Sequence, residues 1–224
     1  MANKFPSGQI SNIIILGAVW GLAEASLGLG LQKCASLASG SIMTAVALFF
    51  IAATWTLTRH IIGIVIAVFL VSLMKMFDAL LLSLPLRHGA VANPIFAFWT
   101  EALAFLVIAL VLKETLVRKK SGQAVLGGLS ALAAINLFPL VKFATGIPAC
   151  VVPGTNYPFS LYYAPLAVGL SLLTVPLGFL AGEKIAISQA KPATLSQMRT
   201  SRYIVTPAAL IACLLLIAII HLAG

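Results

Sequence analysis

Acidic residues are the scarcest chemistry in this chain: five among 224 positions, against fourteen Lys and Arg, so that only 8% of residues carry formal charge. Soluble domains run at about 25% charged residues, so a fold wholly exposed to water is excluded. Cysteine is nearly as rare. Cys34, Cys150 and Cys213 are too few for a disulfide framework, and their spacing matches no zinc motif. H-E-x-x-H, G-x-S-x-G and a Walker-type phosphate loop are all missing, so the chain cannot be a primary pump by itself. Ser130 lies among small residues inside an apolar run, but no histidine falls in the interior of such a run, which argues against a serine dyad. His60 and His221 fall at the ends of apolar runs, where the sequence places no acid or serine beside them.

Apolar length is what the chain has in abundance. Hydrophobic residues make up 61% of it, the mean hydropathy is +1.10, and the apolar runs repeat at about the 20-residue length that crosses a bilayer core as helix. The expected fold is an all-α, polytopic transmembrane helix bundle forming a single integral membrane domain over 1–224. Seven spans are expected: Ser11–Gln32, Ser39–Thr58, Ile61–Leu84, Pro94–Leu112, Gln123–Thr145, Leu161–Gly182 and Tyr203–Leu222. Asn93-Pro94 has the form of a helix start, a capping residue followed by proline at the first helical position. Pro139, Pro165 and Pro176 are expected to bend their spans or to mark where they end. The leading MANKFPSGQ carries a lone Lys4 and no A-x-A site, so it reads as retained.

The formal charge of +9 would point a soluble chain towards nucleic acid. Here the basic residues sit in short connections, above all Lys113–Lys120 and Glu183–Arg202, and act as topology signals instead. Ten of the fourteen basic residues fall on one side, two (Lys33 and Arg87) on the other, and Lys75 and Lys142 within spans. This bias implies a cytoplasmic N-terminus and, with seven spans, a C-terminus outside.

Of the five acids, Glu24, Asp78 and Glu101 fall within spans. An ionisable group at bilayer depth is expensive unless it meets a partner or a polar cavity. Gly17, Gly21, Glu24 and Gly28 share one helical stripe, so the first acid lies on a face that another helix can approach closely. Lys75 precedes Asp78 by three residues and can pair with it on the same face. On the expected topology Glu24, Lys75, Asp78 and Glu101 sit at similar depth towards the outside, which suggests an outward-opening pocket with Asn93 near its rim. The alternative is a set of charges that only fix helix register.

Trp20, one turn from Glu24, and Trp99, two residues from Glu101, could offer rings to a flat ligand or a cation, or could be packing. Lys142 could join the pocket or snorkel to the interface. The stretch Gly154–Tyr163, GTNYPFSLYY, could be an aromatic belt or a lid. Cys34, His88 and Cys150 all fall in outward connections. They could gather around a soft metal, the cysteines could pair, or the three could be unrelated.

The segments GAVWGLAEASLG (17–28), SLMKMFDALL (72–81) and ANPIFAFWTEALAFLVIALVL (92–112), in this order, resemble the substrate-binding S components of energy-coupling factor transporters and related bacterial membrane proteins. The resemblance implies a six-helix core over 1–182 that captures a small solute, a vitamin or a precursor-like compound, from outside. It also implies partners on other chains: a transmembrane coupling protein and ATP-binding subunits in a bacterial inner membrane. A small-residue face on the first helix docks the coupling protein in that family, and Gly17 and Gly21 are its nearest equivalents. The helix over 203–222 is additional to the family pattern. The expected site is Glu24, Lys75, Asp78, Glu101, Trp20, Trp99 and Asn93, with no catalytic residue, cofactor or resident metal. A membrane enzyme or redox accessory built on Cys34, His88 and Cys150, and a non-catalytic scaffold, are the competing expectations.

Overall fold

The computed structural model describes residues 7–30, 37–112, 114–190 and 201–223. Nine α-helices are described: α1 (Ser7–Gly30), α2 (Leu37–Thr58), α3 (Ile61–Leu81), α4 (Gly89–Val111), the one-turn α5 (Glu114–Val117), α6 (Lys120–Leu137), the short α7 (Val141–Thr145), α8 (Phe159–Ala190) and α9 (Thr206–Ala223). Among the described residues there is no strand, and seven helical stretches are long and apolar enough to cross a membrane. The chain is a multi-pass helical membrane protein. In hydrocarbon each backbone N–H and C=O must be satisfied within its own segment, which a helix achieves. The span hydroxyls follow the same logic: Ser26, Thr56 and Ser72 each donate to the carbonyl four residues back, at 2.7 to 2.8 Å.

Several boundaries differ from the sequence reading. α4 begins at Gly89, capped by His88, whose Nδ1 accepts from the Ala90 N–H at 3.2 Å. Asn93-Pro94 is therefore not the helix start. Pro94 falls inside α4, close enough to its beginning that the helix continues through it. Pro139 does mark an end, in a 3-10 turn over Phe138–Leu140. Pro165 and Pro176 lie inside the unbroken α8, which runs to Ala190, past the expected limit at Gly182. α3 stops at Leu81, three residues early, where the chain turns through Ser83 at φ 53° towards Pro85.

The most extensive packing joins α2 to α8, followed by α6 to α8 and α1 to α3. Side chains at Gly178 or Gly182 of α8 would collide with the Phe49 and Ala53 carbonyl oxygens of α2, so these glycines allow two backbones to touch. Trp20, Ile51, Val68, Phe105, Leu126 and Phe179 fill the centre of the bundle. α9 leans on α1, where Cys213 and Ile217 pack against Ala18, Ala25 and Met74. The seventh helix is thus part of the bundle wall.

Candidate functional site

The α1 stripe faces α3. A Cβ at Gly17 would press on Leu70, one at Gly21 would collide with Met74, and one at Gly28 would lie 3.7 Å from Lys75 Nζ. The absence of side chains at Gly17 and Gly21 therefore lets α3 close on α1, and both glycines are buried. The face expected to meet a coupling protein is, at these two residues, turned to α3 of this chain.

The same seam brings charges together at one end of the bundle. Lys75 Nζ donates to Asp78 Oδ2 at 3.1 Å, with the side chains 12% and 4% exposed. The other oxygen, Asp78 Oδ1, lies 3.5 Å from Nε2 of His221 on α9. Glu24, 1% exposed, accepts from the Trp20 indole N–H at 3.3 Å through Oε1. Glu101 on α4 is 4% exposed and close enough to Glu24 for the two carboxyls to repel each other; the Thr44 hydroxyl of α2 faces it. Oε2 of Glu24, Oε2 of Glu101 and the side-chain oxygen of Asn93 are buried with no hydrogen-bond partner.

These groups line one cavity of about 810 Å³, open on one side. Its walls come from α1, α2, α3, α4, α8 and α9, with the turn before α4 and the loop before α8 at its mouth. Glu24, Lys75, Asp78, Asn93 and Glu101 all border it. A cavity of this size, largely apolar with a few convergent polar groups, has the form of a small-molecule pocket.

The two tryptophans do not border it. Trp20 is fully buried in the core, stacked on Phe50 at 6.0 Å and meeting Phe98 edge-on at 5.4 Å. Its link to the site is the N–H that holds Glu24. Trp99 is 41% exposed and turned away from the cavity. Two residues rotate a helix by about 200°, so a neighbour at that offset from Glu101 falls on the opposite face. The rings that do line the cavity include Phe98, Phe138, Phe159 and Tyr163. Lys142 is exposed, with its ammonium 4.8 Å from the Phe143 ring centre, and is not among the lining residues.

His221 was missed. The sequence placed no acid beside it because hydropathy does not tell which helices are neighbours. The loop over 146–158 folds back on itself, with the Phe159 N–H bonded to the Cys150 carbonyl at 2.8 Å. Of the aromatic stretch, Phe159, Ser160 and Tyr163 border the cavity, whereas Tyr157 and Tyr162 are half exposed.

Cys150 is disulfide-bonded and Cys213 is a free, buried thiol. Cys34 lies outside the described residues. A disulfide sulfur is not a thiolate ligand, so Cys150 in its disulfide does not serve a soft metal. Among the described residues no three His, Cys, Asp or Glu side chains gather closely enough to hold a metal ion.

Fold and site together define a class: a multi-helix membrane protein with a polar-floored cavity at one end. Comparison with family models, curated proteins and solved structures returned no match.

Proposed function

We propose that this protein is a membrane-embedded binding subunit that captures a small organic solute in the cavity bordered by Glu24, Asp78 and Glu101. The observation that carries this reading is the meeting of three carboxyls from three helices around one open cavity of about 810 Å³. Ionisable groups inside membrane spans are rare and costly unless used or paired, and each of these three acids keeps a buried oxygen without a hydrogen bond. Helix pairing alone would be better served by apolar or small residues.

The likeness of roughly the first half of the chain to S components, through the segments 17–28, 72–81 and 92–112, supplies the second half of the proposal. The solute is handed on with the help of a transmembrane coupling protein and ATPases on separate chains. The bias of the basic connections supports a cytoplasmic N-terminus with the cavity mouth outside, and the same likeness supports a bacterial inner membrane. The coupling protein then docks on a surface other than the Gly17 and Gly21 face.

The test is retention of a compound from a bacterial metabolite extract by the purified, detergent-solubilised protein, read by mass spectrometry after desalting. The wild type is expected to keep one small solute that Glu24→Gln or Glu101→Gln loses. Retention of nothing by the wild type, or equal retention by both folded variants, would remove the cavity from the account.

A further inference from the structure

The charges around the cavity are unequal. Among the described residues three carboxyls and a single lysine border it, and the lysine is already engaged: Lys75 donates to Asp78 at 3.1 Å. Asp78 Oδ1 makes no hydrogen bond but lies 3.5 Å from His221 Nε2, so Asp78 has a basic side chain on either side of it. That leaves Glu24 and Glu101, each at least nine-tenths buried, each with one oxygen lacking a partner, and near enough to repel each other. Asn93 adds an unpartnered amide oxygen on the same wall as Glu101.

Unpaired groups of this kind can only accept hydrogen bonds, when the acids are ionised. A buried acceptor left without a donor is costly, and a carboxylate far more so. The occupant that satisfies both acids at once carries positive charge and several N–H donors. An anion would meet two carboxyls with the lysine already taken, so a carboxylate or phosphate-bearing ligand is opposed by charge as well as by hydrogen bonding. Phe98 and Tyr163 border the cavity alongside, and aromatic faces favour a cation or a flat ring next to them.

We infer that the solute is a small organic cation, an ammonium or amidinium group on a flat apolar body, whose N–H groups are shared between Glu24 and Glu101. This inference rests on the capture reading and narrows it from a small solute to one class of solute.

A matched set of probes tests it: benzamidine, its neutral counterpart benzamide, and benzoate. Each is titrated into the purified protein, with binding read by thermal shift and by tryptophan fluorescence. Benzamidine is expected to bind about tenfold or more tightly than benzamide, the size expected of charge-assisted hydrogen bonds, and benzoate not at all. Glu24→Gln and Glu101→Gln should each abolish most of that preference in protein that still elutes as a single species. The wild-type comparison needs no variant, so it decides the matter even where a substitution prevents folding. Equal or tighter binding of benzamide or benzoate overturns the cation assignment and leaves the capture reading in place. A preference that survives both substitutions removes the two carboxyls from the assignment. Binding of none of the three probes overturns the inference, while the metabolite-extract experiment judges the capture reading separately.

Discussion

Two acid–base pairs sit at opposite ends of this bundle, and their distances rank them in the wrong order. Arg118 and Glu114 approach to 2.8 Å, one helical turn apart, with side chains 73% and 71% exposed. Lys75 and Asp78 approach only to 3.1 Å, yet are 12% and 4% exposed. Water screens the first pair, and exposed ion pairs of this kind contribute little to stability. The second has surrendered its hydration, so each partner depends on the other. Each pair borders a cavity, but at the one beside Arg118, about 550 Å³, the charges of the described residues are all exposed. Burial, not separation, is what sets the two ends apart.

The largest expected effect follows from breaking the buried pair. Asp78→Ala strands Lys75 and removes the acid beside His221, and should cost about 3 to 5 kcal/mol in a reversible unfolding assay. A loss no larger than that of a surface substitution would mean that this end of the bundle is as wet as the other. Next comes the seam that lets two walls close on each other. Gly182→Val pushes α8 off the Ala53 carbonyl of α2 and should cost about 1 to 3 kcal/mol by the same assay, since the collision is with backbone.

Trp20→Phe should keep the stacking with Phe50 and lose the N–H to Glu24, at a cost of about 1 kcal/mol together with weakened ligand retention. Unchanged retention would make Trp20 a packing residue alone. Arg118→Ala is the smallest. Its hydrogen bond, and then its charge, hold the Glu114 carboxyl below the usual range. A lowered folded-state value adds stability above the unfolded value and loses it as pH falls through the folded one. Full exposure makes that contribution too small to see, so the wild type and Arg118→Ala should share one melting profile across the acid range. A separation of the two curves would show that this surface pair counts for more than its exposure allows.

The polytopic helical fold was legible because apolar runs of bilayer length leave the backbone no other choice. The charges were legible for a related reason: Glu24, Lys75, Asp78 and Glu101 each interrupt a run in which charge is costly. Their common cavity needed more than hydropathy, which orders helices along the chain and is silent on which ones touch. His221 is the clearest case, since only the packing of α9 on α1 and α3 brings it to Asp78. The Gly17 and Gly21 stripe was correctly seen as a face for close approach, but the partner is α3 of this chain. Trp99 was avoidable, because its two-residue offset from Glu101 already turns it away. So was the α2–α8 seam, for Gly178 and Gly182 stand four residues apart within a span, the spacing that permits close helix contact. Pro94 misled because a capping residue followed by proline is a common start signal, whereas His88 provides the cap.

The most direct measurement is a density map of the protein after exposure to the metabolite extract. The account predicts a compact solute in contact with both Glu24 and Glu101. Carboxyls bonded to one another across a collapsed cavity, or a lipid chain filling the space between them, would contradict it.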